Sequence, residues 1–414
     1  MARHAQTRIA GTIAAMAMCA AAATEAAAQD GSLVLNNQLQ LGDVISGQTL
    51  NVEGATDQVT AANATTGNSV SGSVENDSID FQSTQTMSGD ARATTTLNLG
   101  GDTQGPVNVA VQSTGNYLAA GAYDADLAVD ATQTVTGGEI TANAVIPGGT
   151  ARLIEGGAVT VSAAGNNAAL GGTGANLTGS VTQASDASIR AGNLAETQYI
   201  PATGVFTSQA LGNAVAVSTS EASSQNLAIV QRSTGDVVEA STSANAGNAW
   251  DLAGRANASA NQAVLTNQGG SVVVRSDQNN ASLVRADAVG TAYDFGAATV
   301  YAQGAANAVS AGNNDRYLEI DNSQINSGGV EVQATFSGTN GYDAYVSADA
   351  VGNSVTGYAC STCEGVLNAT NVQTNSGNVT ATANTAVYGS GRAVITGVNA
   401  VGNAATFYVS RPAQ

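Results

Sequence analysis

Apolar and polar residues alternate singly along most of this chain, and short turns interrupt the alternation. Val330-Glu331-Val332-Gln333-Ala334 and Asn378-Val379-Thr380-Ala381-Thr382-Ala383 show the period of two directly, and Val272-Val273-Val274 followed by Ser276 is a more apolar version of it. A period of two places successive side chains on opposite faces of a strand. Gly-Asn, Gly-Gly and Ser-Gly pairs separate the runs as turn signals. After the first 28 residues there is no amphipathic run of helical period, and β-branched residues are common where helix formers such as Lys, Leu and Glu are scarce. The pattern predicts an all-β chain.

A slower beat overlies the alternation. Gln85, Gln133, Gln183, Gln231, Gln324 and Gln373 each close a strand-like run and precede a polar turn, at steps of 48, 50, 48, 93 and 49 residues. Gln268 falls inside the long step and divides it unevenly into 37 and 56. A second mark, Gly-Asn before a small residue, keeps a similar beat at Gly67-Asn68, Gly115-Asn116, Gly165-Asn166, Gly212-Asn213, Gly247-Asn248, Gly352-Asn353 and Gly402-Asn403. Two independent marks on one beat indicate a repeat architecture. In the unit beginning at Leu227 the first strand ends at Gln231, Ser233-Thr234-Gly235 turns, and Asp236 to Ser241 forms the second strand. The unit beginning at Leu367 has the same order.

Three or four short strands per unit predict about two coils of a β-solenoid in each repeat of roughly 48 residues. Residues 61–409 would then give about fourteen coils, a rod on the order of 70 Å at roughly 4.8 Å per coil. A single coil cannot bury its own inner face and must stack on its neighbours. Ala, Val, Ser and Thr suit a narrow interior, and Gln or Asn recurring at one position can stack as a hydrogen-bonded ladder. The alternative is an array of small β-sandwich modules of about 50 residues each, a size at which independent stability is marginal. Residues 29–60 lack the repeat marks and are expected to cap or dock the rod, and 410–414 form a tail.

Residues 1–28 have the make-up of a secretory signal: Arg3 and Arg8, an uncharged Ala-rich core from Ile9 to Ala23, and Ala26-Ala27-Ala28 before a cleavage point between Ala28 and Gln29. Cys19 within this stretch also admits a lipoprotein signal. The exported chain then contains no Lys and no His, and carries ten Arg against thirty Asp and Glu. A net charge of about −20 repels phosphate backbones, so no nucleic acid partner is expected.

Without His or Lys, the Ser/His/Asp and Cys/His arrangements, Lys nucleophiles and His-ligated metals are all excluded from the exported chain. Cys360 and Cys363, in Cys-Ser-Thr-Cys, read as a local disulfide of an exported protein; a redox pair is the weaker reading because no βαβ pattern surrounds them. Asp124, Asp126 and Asp130 share one strand face, which reads as solvated surface, with Ca²⁺ ligation the weaker alternative. No metal, cofactor or catalytic residue is assigned. Trp250, Tyr293, Tyr301, Tyr317, Tyr342, Tyr345 and Tyr358 gather in the later repeats, either covering the solenoid or offering platforms for sugar rings. The uncharged run from Ala393 to Val409, flanked by Arg392 and Arg411, would expose a strand edge able to pair with another chain.

The signal ending AAAQD, the opening GSLVLNNQLQLGDV and the segments GNAVAVSTS, VQTNSGNVTA and AVGNAATFYV together resemble the holdfast attachment protein D family of stalked alphaproteobacteria. The resemblance spans essentially the whole chain and rests on overall pattern. It implies a non-enzymatic protein associated with the outer membrane at the cell pole or stalk tip. There it would act with a curlin-like small subunit and a curli-secretion-like lipoprotein to tether an adhesive polysaccharide. It implies no catalytic residues. Two other readings remain open: a self-assembling fibre subunit, and a polysaccharide lyase or glycosidase on a β-helix, which would require two placed carboxylates or an Arg base.

Overall fold

The computed structural model describes residues 32–360, 365–389 and 391–410. Their regular structure is entirely β, and every strand pairing is parallel to a strand about one repeat away. The chain winds as a β-solenoid. Self-contained sandwich modules are excluded, because each unit pairs with its neighbours and not within itself.

Two coils show how the winding arises. In the first, β1 (Ser32–Gln40) turns into β2 (Val44–Val52), and β3 (Val59–Glu75) returns to the start. In the second, β4 (Ser78–Met87) and β5 (Ala91–Leu99) run outward, β6 (Asp102–Thr103) rounds the far corner, and β7 (Val107–Tyr123) returns. The 17-residue return strand spans both outgoing strands, so each coil is a flattened two-layer loop. In later coils the second and return strands are continuous round the far corner, as in Ser188–Ser220, where the pairing slips between Ile200 and Thr203.

The number of coils corrects the expectation from strand count. Gln85 pairs directly with Gln133 on the neighbouring strand, so one repeat advances the solenoid by one strand spacing. The sheet formed by β1, β4 and their successors has eight strands. Seven spacings of about 4.8 Å make a stack on the order of 34 Å, half the expected rod. The short runs read as separate coils are the two layers of one coil, and layer-on-layer packing supplies the interior that a single sheet lacks. The coils also start earlier than residue 61. Residues 32–60, expected as a cap, form β1, β2 and the start of β3, paired in register with the second coil.

Inward parity changes at one Asn of each return strand, preceded by Gly in most coils. In β7, Val107, Val109 and Val111 face one core with Ala91, Ala93 and Leu97 of β5, whereas Leu118 and Ala120 face a second core with Ile79 and Phe81 of β4. Two apolar lobes therefore run the length of the stack, and a polar waist lies between them.

Candidate functional site

The waist is built from the two marked residues. Each Gln sits two residues before the inner end of its strand, pointing inward, and each marked Asn sits where the return strand changes parity. Gln38, Gln85, Gln133, Gln183, Gln231, Gln278, Gln324 and Gln373 form one continuous ladder, in which each Nε2 donates to the Oε1 of the preceding coil at 2.7–2.9 Å. Asn68, Asn116, Asn166, Asn213, Asn261, Asn307, Asn353 and Asn403 form a second ladder running the other way, each Nδ2 donating to the Oδ1 of the following coil at 2.7–2.8 Å.

The second amide hydrogen of each residue links the two layers. Gln85 donates to the Tyr117 carbonyl, one residue after Asn116, and Asn68 donates to the Thr86 carbonyl, one residue after Gln85. The same exchange recurs at Gln183 with Ala214 and Asn166 with Ala184. A flipped amide would set oxygen against a carbonyl, so these bonds fix which way every amide points. Buried amides satisfied this fully rigidify a core instead of destabilising it.

Two sequence assignments are corrected here. Gln268 is not a rung: it is exposed near the end of a return strand, and Gln278 occupies the place. Steps of 47 and 46 residues from Gln231 and Gln324 meet at Gln278, which the turn-centred pattern passed over because Asn279-Asn280-Ala281 follows it without a Gly. Gly247-Asn248 is also off the ladder. Asn248 lies at the far corner beside Tyr199 and Asp294, and the Asn rungs of those coils are Asn261 and Asn307, preceded by Ala260 and Ala306 in place of Gly.

The far corner carries the exposed aromatic residues. Trp250 and Tyr342 occupy equivalent positions two coils apart and are 61% and 55% exposed. Gly296 lies between them. A Cβ there would fall 2.5 Å from the Trp250 carbonyl oxygen and 3.0 Å from its ring, so glycine lets the indole lie across the intervening coil. The Trp250 and Tyr342 rings meet edge to face with centroids 6.4 Å apart. Arg392, one coil further on, places its guanidinium 5.8 Å from the Tyr342 centroid. The same guanidinium forks onto Asp343, donating from Nε to Oδ1 at 3.0 Å and from Nη2 to Oδ2. That hydrogen-bonded fork holds the Asp343 carboxyl below its ordinary pKa. Beside this row, Asn340 donates to Asp294 and Thr203 to Asp251. The result is an exposed strip of ring faces and edges flanked by carboxylates and amides, a surface chemistry that suits sugar rings and hydroxyls.

The other aromatics named from sequence are dispersed. Tyr358 stacks on Tyr408 with centroids 5.7 Å apart, Tyr317 donates to Glu319, and Tyr293 and Tyr345 are exposed singly. Burial and its hydrogen bond to Asp349 push the Tyr301 hydroxyl up to about 12. Asp126 and Asp130 accept from Asn176 and Ser180 of the next coil, and Asp124 lies in the preceding turn at φ 46°. Among the described residues, no three His, Cys, Asp or Glu side chains are grouped to hold a metal. Cys360 is buried and disulfide-bonded. Cys363, Ala28, Gln29 and Arg411 lie outside the described residues.

One feature had no signal in the sequence pattern. Arg92, Glu139, Arg190, Glu239, Arg285 and Glu331 alternate in charge along the outer face of the second strands. Arg92–Glu139, Arg190–Glu139, Arg285–Glu239 and Arg285–Glu331 approach to 2.9, 3.2, 3.6 and 3.0 Å, and Arg190 also pairs with Glu239.

A family model described as holdfast attachment protein D matches residues 53–329, about two thirds of the chain. No curated protein matches the chain. No solved structure matches it either.

Proposed function

Because the chain belongs to the holdfast attachment protein D family, we propose that it is a non-enzymatic structural anchor that grips an adhesive polysaccharide and ties it to the cell envelope. The family assigns holdfast attachment, which is a task at the cell surface. The observation that carries the finer reading is the exposed Trp250–Tyr342–Arg392 corner. It offers sugar-stacking chemistry on a scaffold whose coils are hydrogen-bonded to one another along the axis by the two ladders. On this reading the protein is exported by its N-terminal segment and resides at the outer membrane of the pole or stalk tip. There it works with a curlin-like small subunit and a curli-secretion-like lipoprotein.

The chain's one Trp makes the corner directly observable. Titrating purified holdfast polysaccharide should shift the Trp250 emission, and Tyr342→Ala should weaken binding by about two- to tenfold, the loss of one stacked ring at about 0.5–1.5 kcal/mol. In cells, Trp250→Ala with Tyr342→Ala should shed holdfast while the protein stays at the surface. Unchanged emission together with full adhesion of the double variant would remove the corner from the mechanism. Release of reducing ends or unsaturated sugars from the polymer by purified protein would instead establish the lyase or glycosidase reading.

A further inference from the structure

We infer that the two ends of the solenoid are complementary docking surfaces for a second copy of this chain, stacking head to tail so that the ladders run on from one molecule into the next. Three observations carry this.

The first is an uncapped core at both ends. Among the described residues, strands of the first coil pair only with the second, and strands of the eighth coil only with the seventh, so both stack ends present open strand edges. In the eighth coil, Val394, Val398, Phe407 and Val409 register over Ala344, Ala348, Gly357 and Ala359, at inward positions of the seventh. They are 37–54% exposed only because no further coil covers them. At the other end Val34, Leu50, Val52 and Val70 hold inward positions and are only partly buried. Repeat proteins that remain single close their terminal repeats with polar surface, and open apolar strand edges invite a further strand.

The second is the direction of the ladders. Since each Gln donates backward and each Asn forward, the eighth coil ends, among the described residues, with the Gln373 Oε1 without a donor and the Asn403 amide without an acceptor. Among the described residues, the first coil begins with one Gln38 Nε2 hydrogen uncommitted and the Asn68 Oδ1 without a donor. Placing the first coil of a second copy on the eighth matches all four groups. Gln38 of that copy donates to Gln373, and Asn403 donates both to its Asn68 and to its Leu39 carbonyl. Gln and Asn are 30 residues apart in both terminal coils, so the two rungs align together. A partner of unrelated sequence would leave buried amides unpaired, a cost that selects for a second copy.

The third is charge. The first coil holds Asp43, Glu53, Asp57 and Glu75 and no basic residue, whereas described residues 366–410 of the eighth hold Arg392 and no acidic one. First coil against first coil sets acid against acid, and first against eighth does not.

The test uses the purified chain from Gln29 on, followed by sedimentation and electron microscopy. One variant, Val394→Lys with Val398→Lys, charges the eighth-coil end; the other, Val34→Lys with Leu50→Lys, charges the first-coil end. The unmodified chain is expected to form rods whose lengths are multiples of one molecule. Each variant alone should be monomeric, with association weakened at least about 100-fold, and an equal mixture should stop at dimers, because one open end of each kind remains. Asn403→Ala, which adds no charge and removes the forward donor together with the acceptor for Asn353, should weaken assembly at unchanged β content. It serves as the reading should a Lys variant fail to fold. An unmodified chain that stays monomeric at high concentration overturns the inference. So do dimers formed by either Lys variant alone, which would show like ends pairing. So does assembly abolished by Leu33→Lys with Leu35→Lys on the outer face while the end variants still assemble.

Discussion

At the scale of the residue, the amide ladders decide stability. A rung Gln has both neighbours and a cross-layer carbonyl as partners, so its loss orphans groups in three places. Gln278→Ala removes the donor to Gln231 and to the Ala308 carbonyl, and leaves the Gln324 amide without its acceptor. Orphaned buried amides at about 1–3 kcal/mol each, with the cavity left by the side chain, predict a loss of about 3 kcal/mol or more. Gln268→Ala, at an exposed site off the ladder, should cost under about 0.5 kcal/mol. Denaturant midpoints of the two variants compare the positions directly, and equal midpoints would refute the ladder's role. Most rungs were legible as a beat of Gln and Gly-Asn. Gln278, Asn261 and Asn307 were not, because the marks were read with their turn residues, and the turn is free to vary while the inward amide is not.

At the scale of the element, each strand surface is read by its neighbours one repeat away, and charge follows that rule on the second strands. Asp287 lies near this row. Burial first, and then repulsion from Glu239, raise its carboxyl pKa, with Arg285 opposing. A carboxylate whose pKa is raised by folding stabilises the fold below its ordinary value, near pH 4, and that contribution is lost as pH rises through the raised value. Asp287→Asn removes the charged form. The variant should therefore melt higher than the parent at neutral pH, by under about 1 kcal/mol once solvent screening is allowed for, and the gain should vanish below about pH 4. A gain that persists in acid would point to packing instead of charge. No sequence rule exposed this row, since Arg190, Glu239 and Arg285 are 49 and 46 residues apart and are neighbours only after winding.

At the scale of the whole molecule, one repeat equals one coil. Removing Ser224–Gly270, one whole repeat, joins the fourth coil to the sixth with every inward position and both ladders in phase. The shortened chain should fold with a β-rich spectrum and lose cooperativity only in proportion to length. Removing about half of that segment should abolish folding, because the layers would no longer face each other. Two coils per repeat would make the half deletion the tolerated one, so circular dichroism and thermal melts of the two deletion variants decide the winding. The paired layers also explain the composition. Val and Ala fill two thin lobes on either side of a polar waist, and bulky residues are few: Phe81 and Phe206, and Phe336 packed edge to face on Phe295.

Local chemistry determined what the sequence made plain by itself: strands from a period of two, a solenoid from a fixed beat, inward amides from their recurrence, and a chain with no Lys and a single His, at position 4. Tertiary structure decided the number of strands per turn, and with it every lateral neighbour. The beat of about 48 residues fits one wide coil or two narrow ones equally well. Only the packing of the return strand against both outgoing strands makes the wide coil the lower in free energy, because it buries two apolar faces against each other. That choice brought Trp250 over Gly296 to Tyr342, aligned the alternating charges, and left matching rungs open at the two ends.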